Sequence, residues 1–398
     1  MKYILKVMRI FFFIALTVFI YSCSGNAVIQ QTDSIVKIKE IRLVSNPDSL
    51  ITKISEIASD IEYIPLQPSS NTQIRSIDKI ISRGNKIYIN LVNDLICFND
   101  KGHFLYQLYG NGKETDENVV AIYDFDIDSG DTSLIVLYGN RLLHFKNSEK
   151  GFGYRNTLKL GNVSPIKLDF VPGTNKILLS ATRMKGSEPS INMLISINKD
   201  KLSFKPYYFR SFNSVENRFW DDFVHYQFAD TLYFKERFND TVFLVNPQSN
   251  KFIPSFILSS RLSSTTSENI NDPDYFKLLP FVVNIFEVPG YLYYDYSFSS
   301  KTHKIFYGKS DNKKYEIETE NGYLKDDIAG GLDFDLEYCS EGKIYSWTAA
   351  SDLKKYIESE EFTKAKVLSP TKKDDLRKLA NSLKETDNPV LILLTLKE

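Results

Sequence analysis

Apolar and polar residues alternate along most of this chain in short runs, each closed by Gly, Asn, Asp or Pro. A two-residue period places successive side chains on opposite faces of a strand, so the pattern predicts strands joined by tight turns. One strand–turn–strand unit recurs six times. It spans residues 77–89 (turning at Gly84-Asn85), 122–137 (Gly130-Asp131) and 166–179 (Gly173-Thr174), then 224–234 (Ala229-Asp230), 283–294 (Pro289-Gly290) and 332–347 (Glu341-Gly342). The turns lie about 43 to 61 residues apart, within reach of the blade period of a β-propeller once loops are added.

Five of the units are followed by a second hairpin, at residues 95–108, 142–160, 193–209, 242–258 and 304–317. Two hairpins make a four-stranded blade, and a ring of blades buries both faces of each sheet. The sixth unit lacks its second hairpin. Residues 351–360 and 372–384 instead show helical spacing of Leu353, Ile357, Leu376, Leu379 and Leu383, with Ser351 and Asp374 placed to favour helix starts. Residues 390–396 then form an apolar strand, and residues 61–66 form another with no partner nearby in sequence. The expectation is an all-β fold: a six-bladed β-propeller of four-stranded antiparallel blades, with a short helical insertion near the C-terminus. The last blade is completed by the N- and C-terminal strands, and the propeller occupies 54–398.

Ahead of this pattern, Lys2, Lys6 and Arg9 precede an uncharged stretch from Ile10 to Ile20 in which only Thr17 is polar. A bilayer core needs about 20 apolar helical residues, so the stretch is short for a span and fits a signal peptide over residues 1–22. Ile20-Tyr21-Ser22-Cys23 resembles the lipobox of bacterial lipoproteins, with a bulkier residue than usual at Tyr21. The resemblance implies diacylglycerol on the Cys23 thiol and cleavage before it. An ordinary cleaved signal with an incidental cysteine, or an uncleaved anchor helix, remains open. Residues 23–53 are expected to be a tether that includes a strand near 35–43. No acidic cluster follows Cys23, which favours the periplasmic face of an outer membrane over the cell surface.

Without residues 1–22, 46 basic residues face 50 acidic ones, from 49 and 50 in the whole chain, so nucleic acid is not an expected partner. Abundant Phe and Tyr, 28 and 24 residues, suit sheet more than helix. Cys97 and Cys339 could pair in an oxidising compartment, but both sit in apolar runs, which favours buried free thiols. The chain resembles the NHL-like six-bladed β-propeller lipoproteins of Gram-negative gut bacteria. The resemblance rests on residues 57–66, Ile77-Asp78-Lys79-Ile80, Gly330-Gly331 and Asp387-Asn388-Pro389-Val390-Leu391. It implies the propeller fold and carries little about activity. Relatives tend to have a longer Gly/Pro-rich loop where this chain has Gly110-Asn111-Gly112.

Candidate chemistry is sparse. His103, His144, His225 and His303 fall in four different blades, and no nucleophile elbow, phosphate loop or Cys-x-x-Cys is present. Asp124, Asp126 and Asp128 lie two apart, as do Asp333, Asp335 and Glu337, so each trio projects from one strand face. The first fails as an EF-hand loop because Ile135 stands where a bidentate Glu belongs, and acids facing solvent or the channel explain both trios. No metal or cofactor is expected. Arg218, Trp220, Asp221 and Asp222 are a candidate ligand-binding loop, with Arg183 a further candidate, because Trp and Arg are enriched at binding hot spots. A loop that packs its tryptophan against the next blade accounts for the same residues. The expected role is a monomeric, membrane-anchored module binding a glycan, peptide or envelope protein. The alternative is a carboxylate-based hydrolase or lyase acting on a glycan.

Overall fold

The computed structural model describes residues 38–397, apart from 69–72, 93, 109–121, 149–150, 162, 184–190, 199–200, 211–222, 237–238, 261–279 and 320. The side chains of 163–166, 182, 183, 191, 198 and 201–210 are likewise outside the description. The alternating runs become strands grouped in six antiparallel sheets. The first blade is β4 (Lys79–Arg83), β5 (Lys86–Leu91), β6 (Asp94–Asn99) and β7 (Phe104–Leu108). The second is β8 (Asp124–Ile127), β9 (Ser133–Tyr138), β10 (Arg141–Ser148) and β11 (Gly151–Lys159). The third is β12 (Val163–Val171), β13 (Lys176–Arg183), β14 (Ile191–Asn198) and β15 (Lys201–Arg210). The fourth is β16 (Phe223–Phe228), β17 (Thr231–Glu236), β18 (Thr241–Asn246) and β19 (Lys251–Ser259), and the fifth is β20 (Phe281–Glu287), β21 (Tyr291–Phe298), β22 (Lys301–Gly308) and β23 (Lys314–Ile317). First strands of neighbouring blades touch, β4 with β8, β8 with β12, β12 with β16 and β16 with β20, and form the inner wall.

The turns have the backbone the sequence requires. Ala229 and Asp230 both adopt positive φ, as do Glu341 and Gly342, which matches the right-handed twist of the strands they join. Central strands are buried along nearly their whole length, because each blade packs on both faces. Apolar layers fill the seams: Phe125, Val136 and Leu143 lie with Tyr88 and Cys97 between the first two blades, and Leu137, Leu168, Leu179 and Met193 lie between the next two.

The sixth sheet has the order β24 (Tyr338–Ser340), β25 (Lys343–Thr348), β26 (Val390–Leu396) and β3 (Ala58–Pro65). Both chain ends therefore contribute to it. Alternate residues of β26 face opposite ways: Leu391 and Leu393 join the layer shared with the first blade, while Ile392, Leu394 and Leu396 join the layer on the fifth-blade side. The motif residues find a physical reason here. Asp326 accepts hydrogen bonds from the Tyr63 hydroxyl and from the backbone N–H groups of Ile328, Ala329 and Gly331. A Cβ at position 331 would overlap the Tyr63 hydroxyl, so Gly331 leaves the room that β3 needs.

Two strands lie inside the stretch expected to be tether. β1 (Lys39–Arg42) pairs parallel with β19, and β2 (Ser49–Ile51) pairs parallel with β23, giving the fourth and fifth blades a fifth strand each. Buried Ile41, Leu43 and Ile51 drive this docking. A single 3-10 turn at Ile54–Glu56 then leads into β3. The helical insertion has three helices, α1 (Ala350–Ile357), α2 (Glu360–Lys364) and α3 (Pro370–Ser382). Ser359 and Ser369 cap the last two, and Pro370 fixes the α3 start two residues before the helical pattern predicts it. Their apolar faces, with Leu353, Phe362 and Leu376, enclose Val390. Cys97 and Cys339 are both free, Cys97 buried and Cys339 half-buried. Burial pushes their thiols up, to about 11 and about 12, away from thiolate chemistry.

Leu394 is fully buried in the centre of the sixth sheet. Leu394→Ala is expected to cost about 3 kcal/mol in urea unfolding, the usual range for a large-to-small core change. Deleting residues 390–398 is expected to yield aggregate instead of a compact monomer on size exclusion. A stable truncated monomer would contradict this account of closure.

Candidate functional site

The inner wall is where the polar side chains converge. Lys79 on β4 donates to Asp124 Oδ1 of β8 at 2.6 Å and to the Phe125 carbonyl at 2.8 Å. Arg83, one turn of the pleat further on, reaches Asp126 Oδ1 at 3.2 Å and the Ile127 carbonyl at 3.1 Å. Each aspartate then turns its other oxygen to the third blade. Asp124 Oδ2 accepts from the Leu168 N–H at 2.8 Å, and Asp126 Oδ2 accepts from the Phe170 N–H at 2.7 Å and from Gln227 Nε2 at 3.1 Å. Two members of the first acidic trio, Asp124 and Asp126, are therefore inter-blade fasteners. Its third member, Asp128, accepts from Thr132 and Ser133 and shapes the β8–β9 turn.

Burial raises Asp126 to about 6 against the pull of Arg83. Burial also opposes ionisation of Asp169, but Lys79 and the hydrogen bond from His225 outweigh it and leave Asp169 below its ordinary value. In the second trio, Asp335 pairs with Lys304 at 2.6 Å and also accepts from the Leu336 N–H. Burial and the nearby Asp335 raise Glu337. Burial likewise raises Asp295, on β21, to about 6. Among the described residues, no three His, Cys, Asp or Glu side chains are arranged to hold a metal ion.

A second arrangement sits at the seam of the third and fourth blades. Asp169 Oδ2 lies 2.9 Å from His225 Nδ1, and His225 Nε2 lies 2.7 Å from Ser180 Oγ. Ser180 Oγ donates to Asn192 Oδ1 at 2.5 Å, and Asn192 Nδ2 donates to Glu236 Oε1 at 2.9 Å. All five residues are buried, Ser180 completely. Burial pulls His225 below its ordinary value, and Asp169 offsets part of that. The Asp–His–Ser order matches that of a serine hydrolase relay. Here the hydroxyl lies enclosed between an imidazole and an amide, so the arrangement serves the seam. The other histidines behave separately: His303 bonds Glu316 at 2.6 Å and stacks on Tyr296, and His103 approaches Asn99.

Beside this seam an open cleft of about 820 Å³ is lined by turns of the second, third and fourth blades, including Asp128, Lys146, Phe170, Asn175, Lys176 and Gln248. Lys176 is held in it by the Pro247 carbonyl and Asn250.

Arg218, Trp220, Asp221 and Asp222 lie outside the described residues, as does Cys23. Arg183 is the last residue of β13, and its side chain is outside the description. The relay residues Asp169, Ser180, Asn192 and Glu236 were not legible from motifs, since no linear signature joins them. The repeat holds the one usable signal. Lys79 and Asp124, 45 residues apart, open the first strands of adjacent blades, so equivalent positions meet there; Ser180 with His225 and Asn192 with Glu236 have nearly the same spacing but come from strands of different rank in their blades.

These features define a six-bladed β-propeller with a fastened inner wall. The chain belongs to the family described as Domain of unknown function (DUF4934), whose model matches residues 37–395. Among solved structures it is similar to a Bacteroides fragilis protein named for its inferred export, at 14% identity and a TM-score of 0.58, covering 90% of this chain and 99% of that one. Weaker likeness extends to the β-propeller domain of Cps50 (Swd1) from Myceliophteria thermophila, at 9% identity and a TM-score of 0.38, covering 64% and 90%. The Pan2 WD40 domain of Neurospora crassa gives 7% identity and a TM-score of 0.36, covering 61% and 65%. Comparison with proteins of curated function finds no match.

Removing one partner of a buried ion pair strands the other. Asp124→Ala leaves Lys79 and the Leu168 and Phe125 N–H groups without their acceptor, so a loss of about 3–5 kcal/mol is expected in urea unfolding. Lys364→Ala, at an exposed helical pair with Glu360, should change stability by no more than about 0.5 kcal/mol. Equal effects at the two sites would refute the fastener role.

Proposed function

We propose that this protein is a lipid-anchored extracytoplasmic module whose ring binds or scaffolds a glycan, peptide or envelope protein. The observation that carries the reading is the commitment of the wall carboxylates. Asp124, Asp126 and Asp335 are each engaged by a cation and by backbone N–H groups. A glycosidase needs two carboxyl groups facing one bond, with one free to give a proton and the other to attack or to activate water. Carboxylates spent on holding neighbouring blades suit a rigid scaffold that presents its rim and cleft.

The open cleft, with Lys146, Asn175 and Gln248 beside Phe170, suits a ligand with polar groups and a small apolar face. Arg218, Trp220, Asp221, Asp222 and Arg183 remain proposed contacts on the same physical ground as before, hot-spot residue types next to inner strands. Export and the anchor rest on the charged, apolar and lipobox zones ending at Cys23, and export is supported by the name of the Bacteroides fragilis relative. Tethering by several acyl chains is effectively permanent, at about 0.8 kcal/mol for each buried CH₂.

Two measurements test the reading. Cys23→Ser expressed in a Gram-negative host is expected to abolish incorporation of labelled fatty acid and to move the protein from the membrane to the soluble fraction. Persistent labelling would refute the anchor. The soluble form lacking residues 1–23 is expected to retain specific members of a glycan and peptide array, or to recover an envelope protein after crosslinking. Failure of both, with turnover of a glycan substrate instead, would replace the binding role by the hydrolase.

A further inference from the structure

Asp124, Asp126 and Asp335 are each met by a cation, but Asp295 on β21 is not. In the strand register it stands across from Lys304 of β22. A salt bridge between those two would be the local solution. Lys304 Nζ instead reaches past the Tyr323 ring, 5.0 Å from its centroid, to Asp335 Oδ1 on the segment before the sixth blade, at 2.6 Å. Asp295 is exposed over 9% of its surface. Its Oδ2 accepts from the Tyr293 hydroxyl at 3.4 Å, a long contact, and among the described residues its Oδ1 has no hydrogen-bond partner. Burying an ionised carboxylate without a donor is costly, so the position asks for one.

Two further carboxyl groups are close by. Asp335 acts on both Asp295 and Glu337, and Lys304 is the cation that acts on both. Glu337 is half-buried, and the Trp347 side chain hydrogen-bonds it. Three carboxyl groups thus share one ammonium, which is already spent on Asp335. Among the described residues, no three His, Cys, Asp or Glu side chains are arranged to hold a metal ion, so a bare ion does not fit the spacing. A larger cation, with N–H groups pointing in several directions, does fit. Tyr323 and Trp347 add aromatic surface of the kind that organic cations favour. We propose that the seam between the fifth and sixth blades binds a basic side chain, lysine or arginine, of a peptide or protein held against the ring. This names one ligand class for the binding role proposed above and rests on that role. The site lies where β21 turns into β22 and where residues 335–337 lead into β24, at the strand ends opposite the first turns that line the cleft.

Burial holds Asp295 up at about 6, with Asp335 adding to the rise, while the Asn284 backbone, Lys304 and the Tyr293 hydroxyl oppose it. These groups come from β20, from β21 itself, from β22 and from the segment before β24, which are the elements packed around Asp295. Burial and Asp335 likewise raise Glu337. A cation that binds the ionised carboxylate competes with its proton. Affinity for such a cation therefore rises with pH up to about 6 and is level above it.

The test uses the full-length chain in detergent and two probes, N-acetyl-arginine amide and its neutral isostere N-acetyl-citrulline amide, followed by calorimetry and saturation-transfer NMR from pH 5 to 8. The arginine probe is expected to bind at least about tenfold more tightly than the citrulline probe. Its affinity is expected to rise by up to about tenfold between pH 5 and 6 and to change little between pH 7 and 8. Asp295→Asn keeps the shape, removes the charge, and is expected to abolish both the preference and the pH dependence. Glu337→Gln, on the half-buried rim, is expected to weaken the arginine probe about threefold and serves if Asp295→Asn does not fold. Equal binding of the two probes would overturn the site, as would wild-type arginine affinity in whichever variant folds. If the probes bind equally while glycans or other peptides are still retained, the binding role stands without this site. Retention of no ligand at all overturns both.

Discussion

A ring of sheets has no stable partial form, so the pairing of β26 with β3 governs the rest of the molecule. β26 is hydrogen-bonded on both edges, to β25 and to β3, and its two faces belong to the apolar layers of two different neighbours. Without it the sixth blade would expose strand edges and both adjoining cores at once. The Tyr63–Asp326–Gly331 contact fixes β3 from the side, tying the N-terminal strand to the segment that precedes the last blade. The same segment continues outward, where β2 and β1 cover the outer edges of the fifth and fourth blades. One stretch of chain thus closes the ring and shields two further edges.

The first strands share apolar residues such as Ile81, Phe125 and Leu168 with the inter-blade layers, and polar side chains add a second means of holding the inner wall. Carboxylates solve this problem geometrically. Asp124 and Asp126 each accept from their own strand's next N–H, from a cation one blade earlier and from a backbone N–H one blade later. Three blades are joined by two residues. Such groups are acceptors several times over, and this coordination sphere opposes the proton transfers and nucleophilic attack that catalysis would ask of them.

The six hairpins, their turns and the two unpaired end strands were legible because each rests on local physics: period-two burial, positive-φ turn residues and an apolar run with nowhere else to go. The helix starts were less so. The heptad-like spacing of Leu376, Leu379 and Leu383 locates α3, while its first residue is decided by the Ser369 cap and Pro370. β1 falls within the strand expected near 35–43, whereas β2 was harder still, because Ser49–Ile51 is short and only pairing with a distant strand makes it a strand. The acidic alternation was visible, but its meaning depended on which N–H groups lie one blade away. Asp169, Ser180, Asn192 and Glu236 carry no signature at all in one dimension.

The seam between the third and fourth blades, like the inner wall, combines apolar and polar contacts. Its apolar layer of Leu178, Leu194, Leu232 and Phe234 is accompanied by a line of buried polar side chains, with the His225 ring set edge-on to Phe234. An apolar layer tolerates small shifts, whereas a buried polar line must keep each of its hydrogen bonds. Buried networks of this sort repay their desolvation only when every member is satisfied, so partial satisfaction is the costly state. The cleft lined by Phe170, Asn175 and Gln248 opens beside that seam.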